Sequence, residues 1–520
     1  MTNPARRLDP DKFFPLACLL CAIPVLVSAY PPMVDVPQHA AQVASVKGLL
    51  EGTWKYSEQF NLKLFTPYWL GYGLTFLLSY AFGIVWATKV VVGAAACTTA
   101  WAAARFCNKM GTDSRWNWLF LVLPFGFAYD WGFLNFYIAI PFAFLFLTAV
   151  ADLRERDNLR VRWRIVLWLN FLFFAHILVT GFFCVLALLL LMERGRRPLA
   201  WLRKSLPIFG VLPLTLFWVI LAIRNVGSGL SLTVWDHGLH RLIGLLPAMI
   251  GAPSVPMLPG YLVSVFALAV PFMTGARLTR DPLRVLPIAF YILWMLFFAH
   301  HIFGNSYTYQ RFGTIGIPLY LLCFRVKESH QAVVQMPRIA TAGAIAIAVA
   351  MLAWKTSQAL LFDAEAKSYR STMQHAKPGG RVLMLILDRR SRASAAPLFL
   401  HFPAWYQAEH GGLVEFSFSR FDVTPLSFRD PRSSAIGIGF EWSPNSFNWD
   451  RHRGDLYDYF VIRSPRDESE ALYQISTCRV DLVGHEGTWW LYARSVPEQH
   501  SSPKCTWRGD RYEWSPAVEE

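Results

Sequence analysis

The sequence predicts a polytopic α-helical membrane protein, with about 11 transmembrane helices including some short hairpins, and a C-terminal soluble α/β domain. Three observations lead there. Hydrophobic residues make up 54% of the 520, mean hydropathy is +0.32, and only 16% of residues are charged, against about a quarter in a typical soluble domain. Long apolar runs recur from residue 13 to about 358 and then stop. Basic clusters at residues 6–12, 154–164, 194–204, 277–284 and 325–338 flank those runs, as expected of cytoplasmic loops. Placed this way, the net charge of +14 marks topology and argues against a nucleic-acid partner. The 21 Trp and 19 Tyr suit interfacial belts. The expected division is a multi-span membrane domain, residues 1–358, and an extracytoplasmic domain, residues 359–520.

The first helix is expected over residues 13–30, uncleaved although Val27-Ser28-Ala29 would serve as a signal-peptidase site. Pro37 then opens an amphipathic helix that ends near Glu51, with Gly52 as its stop. Residues 67–85 read as a juxtamembrane or re-entrant segment and 86–107 as a span. Residues 116–150 and 164–191 are each too long for one span and are basic on both sides. A hairpin of two short helices satisfies both facts, with Asp130 on the first crest and His176 on the second. Further spans are expected near 205–223, 258–274, 285–302, 312–324 and 339–358, an odd total that puts the C-terminus outside.

The C-terminal stretch predicts strands at 381–387, 413–421 and 456–462, helices near 397–410 and 468–476, and a final strand pair at 479–494. Pro378-Gly379-Gly380 is a turn before a strand, and no phosphate-binding glycine loop occurs. Cys478 and Cys505 are the two cysteines of this domain and are expected to pair if it lies outside the cytoplasm.

On this topology Asp35, His39, Lys63, Asp130, His176, Asp236, His237, His300, His301 and Arg311 all fall at the outer face. Ionisable groups at membrane depth are costly and tend to face a cavity. Asp35 reads two ways: as a cap for the helix that Pro37 begins, or as a general base. The two are compatible, because a capping geometry keeps a carboxylate ionised. Asp130 is either a solvated turn residue or a functional acid, and His176 either a packing residue or part of the cavity wall. Arg311, in Tyr307-Thr308-Tyr309-Gln310-Arg311-Phe312, is the best candidate to hold a phosphate, against the alternative of a snorkelling interfacial arginine. Lys63 is the second. The histidines show no HExxH spacing, so a catalytic zinc is not indicated.

Taken in order, these features resemble the glycosyltransferase C superfamily, membrane enzymes that take sugar from a polyprenyl-phosphate carrier on the extracytoplasmic side. The features are VDVPQH (34–39) directly after the first helix, LLEGTW (49–54), GFLNFYIAIPF (132–142) after the second acid, FFAH (173–176), YQRF (309–312) and a globular tail. The resemblance covers most of 1–358 and 359–520 more loosely. It implies Asp35 and Asp130 as catalytic acids, Lys63 and Arg311 as donor-phosphate ligands, and His39, His176, His300, His301, Tyr309 and Gln310 as cavity-lining residues. It also implies a polyprenyl-phosphate-linked sugar as donor, a lipid or glycan acceptor, surrounding membrane lipids and a bacterial inner-membrane location. No cofactor is expected, although some superfamily members use a divalent cation. The first outer loop has DVPQH and KLFTP where named branches carry an acidic pair or Lys-Pro-Pro, and WWDYG is absent, so no branch is assigned. The competing expectation is a lipid or polysaccharide flippase, or a non-catalytic subunit of an envelope assembly.

Overall fold

Helices dominate the computed structural model, which describes residues 12–193, 195, 198–225, 233–251, 257–302, 305–325, 335–421, 423–473, 480–495, 505–508 and 511–514. Among the described residues four helices are long and apolar enough to cross a membrane: Trp69–Lys109, Leu134–Glu155, Pro198–Leu221 and Met336–Met373. Shorter apolar helices cover Phe14–Leu26, Ile177–Leu190, Leu239–Met249, Leu258–Met273 and Leu286–Phe297. The chain divides into two units. One holds the residues up to Pro31, Phe65–Leu74 and Lys89–Ala359; the other holds Pro32–Leu64, Thr75–Thr88 and the chain from Leu360 on.

In the first unit the opening helix runs Phe14–Leu19, tightens to a 3₁₀ turn at Leu20–Ala22, and resumes at Ile23–Leu26. Pro24 sits in the first turn of the last piece, where its missing N–H costs no helical bond. Lys89, buried in an apolar helix, donates to the carbonyls of Leu26 at 3.1 Å and Ser28 at 2.6 Å and so closes the helix end.

The two stretches that were too long for one span are each broken into shorter helices. Residues 116–150 form a 3₁₀ segment Ser114–Phe125, a short helix Phe127–Trp131 and the long helix Leu134–Glu155. The bend falls at Gly132, whose φ of +72° is left-handed. Residues 164–191 become helices Leu159–Ala175 and Ile177–Leu190, joined at His176, whose extended backbone (φ −167°, ψ 114°) breaks the helical path.

The helical stretch Trp69–Lys109 is two helices that meet in a kink at Gly83 (φ 73°, ψ 166°), a conformation open to glycine alone, within a few residues of the expected boundary between 67–85 and 86–107. The last span runs on, as the 39-residue helix Gln335–Met373.

The second unit is built on a mixed five-stranded sheet in the order Val480–Glu486, Trp489–Arg494, Tyr459–Arg463, Arg381–Ile386, Leu413–Glu415. Arg381–Ile386 is parallel to both its neighbours and buried along its whole length, which its unbroken apolar run VLMLI requires. Gly379, at φ +77°, makes the turn before it. The stretch 413–421 gives a strand only as far as Glu415, then a 3₁₀ turn at Phe418–Arg420.

Residues 32–64 belong with this unit rather than with the first. Strand Phe60–Leu62 pairs antiparallel with Leu426–Phe428. Trp54 Nε1 donates to the Gly412 carbonyl at 3.2 Å, and the Tyr56 hydroxyl to that of Gly379 at 3.1 Å. The expected Cys478–Cys505 pairing lies outside the described residues, since Cys478 is not among them and Cys505 is described in its backbone only.

Candidate functional site

Asp35 sits at the N-terminus of the helix Val36–Leu50, as Pro37 in the first turn predicts, but its carboxylate makes no capping bond. The helix is not a surface amphipath either. Val36 to Val43 are all buried, because Gln38 and Gln42 on its polar side have partners in the sheet unit. Gln38 Nε2 donates to the Phe416 carbonyl at 2.7 Å, its Oε1 accepts from Phe418 N–H at 3.1 Å, and Gln42 Nε2 donates to Ser419 Oγ at 2.6 Å. Asp35, only 8% exposed, has its Oδ1 3.5 Å from Nε2 of His401. His39, one turn on, meets the ring of Phe418 edge-on at 5.5 Å, and His401 meets the same ring edge-on at 5.3 Å. Burial, with a smaller contribution from His39, pushes the pKa of His401 down to about 3. His401 therefore meets Asp35 as a neutral imidazole. Lys63 follows the Phe60–Leu62 strand, half-buried, with its backbone N–H on the Pro425 carbonyl at 2.7 Å.

The other predicted residues belong to the first unit. Asp130, in the short helix Phe127–Trp131, accepts from Lys355 Nζ at 2.6 Å, and both side chains are almost fully enclosed. Lys355 also lies over the Tyr129 ring at 5.5 Å. The acid is neither solvated nor solitary; it is half of a buried ion pair.

Arg311 is 9% exposed, stacks on Phe133 at 3.7 Å and donates to the Ser306 carbonyl at 2.7 Å. It is thus a buried cation held by a ring and a carbonyl, not a snorkelling one. His176 is enclosed edge-on between Tyr68 at 4.8 Å and Phe136 at 5.5 Å, and the charge of Arg311 reaches both His176 and Tyr68.

A separate polar cluster forms around residues 236–241 and 299–310. Gln310 Nε2 lies 3.0 Å from Nδ1 of His300, and His301 Nδ1 lies 2.9 Å from Ser306 Oγ. Asp236 accepts from His240 at 3.0 Å and from the Tyr309 hydroxyl at 3.4 Å, while the Arg241 guanidinium stacks on Tyr309 at 3.8 Å. Arg241 also donates to the carbonyls of Leu296 at 3.0 Å and Phe298 at 2.8 Å, ending the helix Leu286–Phe297. Among the described residues no group of three His, Cys, Asp or Glu side chains is placed to hold a metal ion.

Sequence reasoning missed Lys89, Arg241, Lys355 and His401. Two of them carried a signal. Lys355 stands within the apolar stretch MLAWKTS, and His401 within LFLHFPAW; a lone ionisable group in such a run calls for a named partner. Nothing in the sequence indicated that the partners would be Asp130 and Asp35.

No family profile matches the sequence, and no curated protein matches it either. Solved structures do match, two of them as follows. One is ArnT from Cupriavidus metallidurans bound to undecaprenyl phosphate, with TM-score 0.54, 12% identity, and coverage of 95% of this chain and 98% of that one. The other is ArnT from the same organism in the apo state, with TM-score 0.55, 12% identity, and coverage of 93% and 97%. The likeness is one of fold, and it spans nearly the whole of both chains.

Proposed function

We propose that this chain, which has the fold of ArnT, is an integral membrane glycosyltransferase moving a sugar from a polyprenyl-phosphate donor to an envelope acceptor. The observation that carries this reading is the fold likeness along almost the full length, to a protein bound to undecaprenyl phosphate. Fold alone does not specify chemistry. The support from the residues is a carboxylate, Asp35, enclosed at the start of the first loop beside His401.

In the reaction proposed, Asp35 accepts the proton of an acceptor hydroxyl as that oxygen attacks the anomeric carbon. The bond from carbon to the phosphate oxygen breaks, and its electron pair leaves with the lipid phosphate. Arg311 and Lys63 stabilise the charge that develops on the phosphate. Arg311 suits this role because it is already desolvated and held by Phe133 and Ser306, so it does not reorganise during the step. One displacement inverts the anomeric configuration and requires no nucleotide. Asp130 contributes through its pairing with Lys355, and His39, His176, His300, His301, Tyr309 and Gln310 shape the surroundings. The membrane is proposed to be the bacterial inner membrane, with the sheet unit on its outer side.

The test is Asp35→Asn in membranes supplied with donor lipid. Transfer falls by about 10²–10⁴-fold, the usual contribution of a general base. Full transfer by a folded variant overturns the assignment.

A further inference from the structure

The sheet unit places a histidine against the acid of the first loop. His401 Nε2 lies 3.5 Å from Asp35 Oδ1, with side-chain exposures of 5% and 12%. Phe416 lies parallel to the imidazole at 6.1 Å and Phe418 stands edge-on to it, so the ring has little freedom to turn. The geometry is fixed from both sides. Gln38 is clamped to the backbone of Phe416 and Phe418, and Gln407 Nε2 donates to Ser45 Oγ at 2.7 Å on the same helix as Asp35. Gln407 also accepts from Val414 N–H at 2.8 Å, which ties this contact to the sheet.

We propose that His401 is a positioning residue for Asp35: its Nε2–H holds Oδ1 and so fixes the orientation in which the carboxylate meets the acceptor hydroxyl. The proposal rests on the glycosyltransferase reading given above. Three facts support it. The Nδ1 atom of His401 is buried with no hydrogen-bond partner among the described residues, so the carboxylate determines which nitrogen carries the proton. His401 remains neutral well below physiological pH. A neutral donor orients a carboxylate while quenching its basicity less than a cation in the same place would. His39 is a further titratable group at this point, and its charge would oppose one on His401; the rings of Phe416 and Phe418 beside the imidazole are apolar. A separation of 3.5 Å is long for a hydrogen bond, but such contacts often tighten only when substrate binds.

The experiment uses the full-length chain in membrane vesicles, with radiolabelled hexosyl and pentosyl phosphoundecaprenol as probes and label in the acceptor fraction as readout. His401→Leu removes the donor, and His401→Gln restores an N–H near the position of Nε2. The expected result is a fall in kcat of about tenfold or more for His401→Leu with KM for the donor unchanged, and recovery to within about threefold of wild type for His401→Gln. Wild-type kcat in His401→Leu alongside an inactive Asp35→Asn overturns the positioning role and leaves the base assignment standing. Full activity in Asp35→Asn overturns both. If His401→Leu fails to fold, His401→Gln decides: loss of kcat in a folded His401→Gln, with thermal stability like wild type, also overturns the proposal.

Discussion

At the scale of single residues, the two predicted acids have different partners. Asp35 could be read from its position before Pro37, and the capping role inferred from that position is absent because the carboxylate faces His401 instead. Asp130 was identifiable as a charge on a hairpin crest, yet its pairing with Lys355 joins residues 225 apart in sequence and no local pattern encodes it. Breaking a buried ion pair strands the remaining charge. Asp130→Asn or Lys355→Met alone is expected to cost about 3–5 kcal/mol. The double replacement Asp130→Leu with Lys355→Met is expected to recover most of that, as read by thermal unfolding in detergent. His401 gives a pH dependence of definite sign. Its folded pKa of about 3 lies below the unfolded value of about 6.5. Between these values the unfolded chain binds a proton that the folded chain does not, so stability falls as pH drops through that window. His401→Gln should flatten the curve there in a pH series of unfolding temperatures.

At the scale of elements, the hairpin expectation came from length and flanking charge, and both stretches are broken, at Gly132 and at His176. Both were legible because a run too long for one crossing, basic at each end, has few other solutions. The division of 67–107 into two segments, read at 85/86, falls within a few residues of the break at Gly83. An apolar stretch carries no mark of where a helix bends unless a residue of special backbone freedom stands there, and Gly83 is that residue. Nothing lies within 4 Å of a Cβ built at Gly83, so a substitution there is opposed by backbone strain alone. Gly83→Ala is expected to destabilise by about 1–3 kcal/mol; unchanged melting would mean that the helix straightens without cost. Lys89 shows the same limit: it lies in a span by composition, and only the returning first helix supplies the carbonyls that hold it.

At the scale of the whole molecule, the reading as a lipid-phosphate glycosyltransferase makes a prediction independent of acceptor and sugar. The purified chain should carry polyprenyl phosphate detectable by mass spectrometry, and Arg311→Ala should lower the amount recovered and raise KM for the donor. Retention of lipid at wild-type level in that variant would remove Arg311 from the donor site. By itself the sequence determined the membrane class, the breaks in the two long apolar stretches, the sheet-forming character of the tail and the list of candidate ionisable residues. These follow from hydropathy, charge placement and turn residues, which are local properties. Only the tertiary structure decided that Pro32–Leu64 joins the C-terminal unit and that His401 and Lys355 are the partners of the two acids. The physical reason is that pairing of buried charges and docking of polar helix faces depend on which distant segments meet, and the energy of excluding water from them is not written in any one stretch of chain.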